Sequence, residues 1–500
     1  MDPYPELIRR FKETRLLDSV GAVVGWDQHT YMPPAGAGHR AEQMGFLAKL
    51  GHQMLTDPKV GELLAAVESA PLVKNPESDE AVNVREIRRG YDRAVKMPPA
   101  LVEEIARVTS QAQNIWALAR KNSDFGVFAP WLAKVVALKR QEAQAVGYKE
   151  SPYDALLDEY EPGMTAAEVT RVFVELRSDL VPLVAAIGAS GKGPRPDILT
   201  REYPVDRQHI FGEAAAAAIG FDFRAGRLDT TVHPFCSGIC PGDVRLTTRY
   251  SSRELNQAFF GILHEAGHGI YEQGLDPAHF GTPCGTAVSL GIHESQSRLW
   301  ENQVGRSAPF WEHFYPRARQ TFPGTLDDVS LDEFVFAINE VERSFIRVEA
   351  DEATYNLHIL LRFELEEALL TGKLEAIDVP AAWNAKFKQL FDLTPPDDAR
   401  GCLQDIHWSM GGIGYFPTYT LGNLNAAQFM EQARQYLGDL DADFRRGEFG
   451  RLKGWLNEKV HRPGQRYRPR DLVRRVTGRP LSHRPLIAYL RRKYEPLYGI

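Results

Sequence analysis

The segment HEAGH, with His264, Glu265 and His268, holds the residue types and spacing best suited to chemistry. On a helix, residues four apart are separated by about 40° around the axis and about 6 Å along it. Two imidazoles then share one face, within reach of a single tetrahedral ion. Glu265 is turned about 100° from His264 and about 60° from His268, so it leans over the metal's open position without becoming a ligand. Zinc held in this way lowers the pKa of a bound water towards neutrality, and Glu265 accepts the proton. With 14 histidines in 500 residues, the pattern arises by chance roughly 0.03 times per chain. Gly267 and Gly269 flank His268; they weaken helix propensity and suit a place of close approach.

A catalytic zinc takes a third protein ligand and keeps a fourth position open. Downstream candidates are Asp276, His279, His293, Glu294 and Glu301. Glu294 and Glu301 lie seven apart on one helical face, and spacing alone does not separate them; Glu294 is preferred, with His293 as its neighbour.

The elements that must position these groups are mostly helical. In SSRELNQAFFGILHEAGHGIYEQG (251–274), Leu255, Phe259, Ile262, Ala266 and Ile270 recur at helical spacing. Ser251 with Glu254 reads as a capping box and Gly274 as a stop. The stretch AVSLGIHESQSRLWENQV resumes helical spacing. Further helices are expected over 5–22, from Pro98-Pro99 to about 121, from the capping box Thr165/Glu168 to 187, and from Ser330/Glu333 to Gly372. The β signal lies in 230–250, where TTVHPF and DVRLTTRY read as strands around the glycine-rich turn CSGICPGD. The loop GASGKGPRP (188–196) marks an internal subdivision near 188–198 of what we otherwise read as one domain, 1–500.

Composition is that of a soluble globular chain, with 43% hydrophobic and 25% charged residues. The first twenty residues carry charges throughout and lack the apolar run of a secretory leader. The most apolar stretch, 214–220, is too short to cross a bilayer. Four cysteines make no disulfide framework, so a reducing cytoplasm is expected. Cys236 and Cys240 read as reduced thiols rather than a second metal site. Residues 451–500 carry fourteen Lys/Arg against three Asp/Glu, so the +11 of this tail sits against −18 in the rest of a chain of net charge −7. A solvated face, or one paired with the acidic body or a second subunit, is the preferred reading over nucleic-acid binding.

At HEAGH followed by HESQS the sequence resembles the carboxypeptidase Taq family of metallocarboxypeptidases. Further family motifs follow in order: HPF at His233–Phe235, D-x-R-x-T at Asp243, Arg245 and Thr247, H-E-S-Q at 293–296, I-R-x-x-A-D at 346–351, and G-x-x-Q-D-x-H-W at 401–408. WDQHTYMPP (26–34) is similar to the family as well. The resemblance implies Glu294 as third zinc ligand, alongside His264 and His268. It implies a mainly helical, saddle-shaped fold with a deep groove and a small β-sheet, and usually a homodimer. It also implies removal of single residues from peptide C-termini with broad side-chain tolerance, poor action on C-terminal proline, and work with Zn2+ or often Co2+.

Within that reading the stretch QDIHWSMGGIGYFPTYTLG supplies His407 and one of Tyr415 and Tyr419 as oxyanion donors. A free C-terminal carboxylate calls for the planar fork of an arginine; Arg347 is first choice, with Arg245 and Arg249 behind it, and His233 is placed with the substrate-binding residues. Two other readings stay open. A zinc oligopeptidase or endopeptidase would share the metal helix but lack a cation closing the groove. A non-catalytic helical scaffold would use its basic tail to bind a partner, although a structural zinc site has no need of Glu265.

Overall fold

The computed structural model describes residues 3–500. The fold is mainly α with one three-stranded sheet. Several expected helices are present: Pro99–Asn122 opens on Pro98-Pro99, and Ala166–Ala189 carries the Thr165/Glu168 capping box. The first helix runs further than expected, Pro3–Thr30, and so includes Trp26 and His29 of the WDQHTYMPP motif. Buried side chains form two large clusters. One gathers residues from 108–187, 353–427 and 486–498; the other gathers 198–338 and 426–473. Helix Pro417–Leu437 joins them, giving Leu421 and Leu424 to the first and Phe429 and Met430 to the second. No helix among the described residues is long and apolar enough to cross a membrane.

Three local expectations are corrected. The strands are β1 (Gly226–Thr230), β2 (Cys236–Cys240) and β3 (Asp243–Thr248), in the order β1-β3-β2. The stretch read as a turn is therefore itself a strand, while TTVHPF is mostly connection. β3 pairs parallel to β1 and antiparallel to β2. Second, the expected helix from Ser330 to Gly372 is two helices. Leu331–Ala337 has the predicted capping box, and Tyr355–Thr371 ends at a left-handed Gly372. Between them Asp351 accepts hydrogen bonds from the Ala353 and Thr354 backbone N–H groups, a turn that starts the second helix afresh. Third, the metal-motif helix, Leu255–Gly274, has no side-chain cap, because Ser251 instead bridges to Glu254.

The motif helix packs between the sheet and the helix Leu290–Arg298, which carries Glu294. Its glycines set both distances. A Cβ on Gly267 would lie 2.6 Å from the Gln296 carbonyl oxygen and the Ser297 Cα. A Cβ on Gly269 would lie 2.6 Å from Phe221 and 2.9 Å from Leu246 of β3. Gly274 ends the helix without a left-handed turn and faces the His461 ring. In the tail, Arg475 pairs with Glu77, Arg468 with Glu86, Arg470 with Glu168 and Lys493 with Glu352. Much of its positive charge is thus matched by the acidic body of the same chain.

Gly267→Ala should cost about 1–3 kcal/mol in chemical denaturation, because backbone atoms cannot make way for the methyl. Gly261→Ala on the same helix meets only Thr248 Oγ1 at 3.8 Å and should be neutral or stabilising by up to about 1 kcal/mol.

Candidate metal centre and groove

His264 and His268 project from the motif helix towards Glu294 on the neighbouring helix. Their Nε2 atoms lie 3.7 and 3.4 Å from Glu294 Oε2, and one ligand atom from each residue falls within 4.8 Å of the other two. Zinc bonds of about 2.1 Å give a tetrahedral edge of about 3.4 Å, so this donor set fits zinc with one position left over. It is the only such grouping of His, Cys, Asp and Glu among the described residues. Each Nδ1 is occupied elsewhere: His264 Nδ1 lies 2.8 Å from Glu301 Oε2, and His268 Nδ1 lies 2.5 Å from His293 Nδ1. Asp276 caps a short turn at Ala278 and His279 lies near Asp79, so neither joins the cluster.

The two acidic candidates take different places because the helix changes pitch between them. After Arg298 the chain continues in π-helical turns, Leu299–Val304, and Glu301 is carried to the back of His264 while Glu294 faces the Nε2 atoms. Arg298 ties them together, with Nε 2.8 Å from Glu294 Oε1 and Nη1 3.1 Å from Glu301 Oε2. Gly422 allows the close approach of helix Pro417–Leu437, since a Cβ there would lie 2.6 Å from Glu294 Cγ.

The electrostatics follow from burial. It pushes the Glu265 carboxyl up to about 7, with Glu294 and Glu301 adding to the rise and His264 opposing it. Burial likewise pulls His268 down to about 4. It opposes charge on His264 too, but Glu294, Glu301 and Glu265 together hold that ring at about 9. All four cysteines are free. Burial, with the charges of Glu265 and Glu272, raises the Cys236 thiol well above its ordinary value.

A second cluster adjoins the first through Tyr355. Arg298 lies 4.5 Å over the Tyr355 ring, and Arg347 Nη1 donates to the Tyr355 hydroxyl at 2.8 Å. Arg347 also reaches Asp405 through Nε and Nη2 at 2.9 and 2.7 Å, and the fully buried Arg362 bonds the other oxygen of Asp405. His407 Nε2 lies 3.4 Å from the Tyr419 hydroxyl, with Tyr415 beside both rings. Burial, opposed by Asp405 and helped by Arg347 and Arg362, lowers His407 to about 4. Burial raises both tyrosines, and the Glu294 charge contributes to each rise. Arg245 lies elsewhere, paired with Asp243 and stacked 4.3 Å over Trp26. Arg249 donates to Gln257, and His233 is exposed in the connection between β1 and β2. Among the described residues, no hydrogen bond or ion pair joins these last three to His264, His268 or Glu294. Arg298, Tyr355, Asp405 and Arg362 are the parts that sequence reasoning passed over; Arg298 had one signal, its place four residues after Glu294.

Residues 6–494 match the family model described as carboxypeptidase Taq (M32) metallopeptidase. Among curated relatives, thermostable carboxypeptidase 1 of Thermus thermophilus is 51% identical over 505 residues, covering 99% of each chain. Carboxypeptidase 1 of Bacillus subtilis is 40% identical, covering 95% of each. Among solved structures, an M32 carboxypeptidase from Deinococcus radiodurans R1 superposes with a TM-score of 0.97 at 43% identity, covering 100% of each chain. Metallocarboxypeptidase 1 of Trypanosoma cruzi gives 0.93 at 35%, covering 98% of this chain and 99% of that one.

Asp405→Asn should destabilise the protein by about 3–5 kcal/mol, because two buried guanidinium groups lose their shared counter-charge. Although burial opposes its charge, Arg347 and Arg362 hold the folded Asp405 carboxyl far below its ordinary range. Its contribution is therefore present above about pH 4 and lost as the pH falls below that. Thermal melts across pH 2–6 should show a shallower acid slope in the variant.

Proposed function

The chain belongs to the carboxypeptidase Taq (M32) metallopeptidase family and is a carboxypeptidase, a peptide hydrolase; we propose that it uses zinc to remove single residues from peptide C-termini, with Glu265 as general base. The observation that carries this reading is the convergence of His264 Nε2, His268 Nε2 and Glu294 Oε2, with the buried Glu265 beside them. Broad side-chain tolerance, poor action on C-terminal proline and cobalt as substitute metal are carried from the family resemblance. So is the homodimer. A reducing, cytoplasmic home is in keeping with four free cysteines.

His264, His268 and Glu294 would hold the zinc, which would supply Lewis-acid chemistry at the scissile carbonyl and make the attacking water more acidic. Glu265 takes the proton released by the attacking nucleophile and passes it to the leaving amine. Its burial, with no ion pair of its own among the described residues, leaves it free for that exchange. His407 and one of Tyr415 and Tyr419 donate to the growing oxyanion, where losing a donor costs about 10²–10³ in rate. Arg347 anchors the substrate's C-terminal carboxylate. Three of its five N–H bonds are used by Asp405 and Tyr355, and two remain for a bidentate contact. The charge balance supports this, because two arginines share one carboxylate. Arg245, Arg249 and His233 are the further substrate-binding candidates, on and beside the sheet that packs on the motif helix.

Glu265→Gln should abolish turnover while bound zinc, measured by elemental analysis, stays at the wild-type level. Loss of the metal instead would make Glu265 a ligand. Arg347→Ala should raise KM for peptides with a free C-terminus. An equal rise for the same peptides carrying a C-terminal amide would remove Arg347 as the carboxylate anchor.

A further inference from the structure

His268 offers two ring nitrogens, and the metal cluster uses one. Nε2 faces Glu294 Oε2 at 3.4 Å. On the other side Nδ1 lies 2.5 Å from His293 Nδ1, and His293 Nε2 lies 2.8 Å from Glu272 Oε1. Proton accounting leaves one neutral arrangement. A ligating Nε2 presents its lone pair, so the His268 proton sits on Nδ1 and donates to His293 Nδ1. His293 then keeps its own proton on Nε2 and donates it to the Glu272 carboxylate. His264 is served differently, by a single direct bond from Nδ1 to Glu301.

The two ends of this chain lie on one rigid element. Glu272 is four residues beyond His268 on the motif helix, so the helix itself sets their spacing and His293 fills the gap from the neighbouring helix. Glu272 is held in turn by β2, where a Cβ on Gly238 would lie 2.6 Å from its carboxyl carbon. Its outer face lines an open cavity of about 260 Å³ between the first helix and β2, with Arg15, Asp18 and Cys240 on the walls. Glu272 is thus the solvent-side end of a hydrogen-bonded line that begins at a metal ligand.

We propose that His293 and Glu272 are positioning residues, forming a two-step relay that locks His268 in the tautomer and orientation that bind the metal. The proposal rests on the metal-centre reading above. Outer partners of metal-bound histidines contribute about 10–100-fold to metal affinity.

The test uses the full-length protein, with zinc affinity measured by competition against a chelator and with the visible absorption of the cobalt-loaded form. His293→Leu removes the acceptor facing His268 and should raise the zinc Kd about 10–100-fold and shift the cobalt bands. His293→Asn, whose amide oxygen restores an acceptor, should recover a large part of that affinity. Glu272→Gln keeps the shape and removes the charge, and should raise Kd about 10-fold. It decides the matter if His293→Leu does not fold. Kd within about twofold of wild type and an unshifted cobalt spectrum in the folded variants would overturn the relay. If the wild type itself holds no zinc that His264→Ala abolishes, the metal-centre reading falls, and the relay with it.

Discussion

Bringing Glu294 to His264 and His268 requires two helices to touch backbone to backbone, and Gly267 is where they do. A single added methyl there would overlap the Gln296 carbonyl and the Ser297 Cα. The same closeness lets Glu301 reach the far side of His264 and lets His293 reach behind His268. Gly422 gives a third helix access to Glu294, and Gly269 seats the sheet. The candidate metal centre is therefore a product of how closely four elements approach. The helix-weakening glycines of the motif are the means of that approach.

Close packing buries charge, and the molecule answers with arginines. Glu265 and Glu294 are buried and Glu301 is partly buried around two imidazoles, and Arg298 bridges Glu294 and Glu301. Arg298 rests on Tyr355, which also accepts from Arg347; Arg347 shares Asp405 with Arg362. Opposite charges thus alternate from Glu294 to the His407 and Tyr419 wall. Glu265 carries no salt bridge of its own among the described residues, and its carboxyl rises to about 7. A carboxyl free of a fixed counter-charge is the kind of group that the proposed general base requires.

How much of this was legible in the sequence varied with the range of the interaction involved. The i, i+4 histidines on a helix follow from spacing alone. The choice between Glu294 and Glu301 did not, because residues seven apart share a face only on a regular helix, and the π-helical turns at Leu299–Val304 break that regularity. The family resemblance preferred Glu294, and it is the Glu294 carboxylate that lies near both Nε2 atoms. CSGIC looked like a turn because of Gly238. That glycine is there for the Glu272 carboxylate, whose place a Cβ would take, so a tertiary contact appeared as a local signal. The helix predicted from Ser330 to Gly372 had both its ends right. Its interior failed because Asp351 closes a turn just ahead of a new helix start, at a point where apolar spacing continues across the break. Asp405 stood inside a quoted motif, but its role as shared partner of Arg347 and Arg362 depends on residues 58 and 43 positions away.

The proposed mechanism requires the His264–His268–Glu294 centre to hold a zinc that the reaction needs, at a site that works from the C-terminal end of the peptide. The direct measurement is a time course on an N-blocked peptide with a free C-terminus, run with chelator and after zinc add-back. Stepwise release of single C-terminal residues that stops with chelator and returns with zinc is the expected outcome. Release unaffected by metal removal, or cleavage at internal bonds, would contradict it.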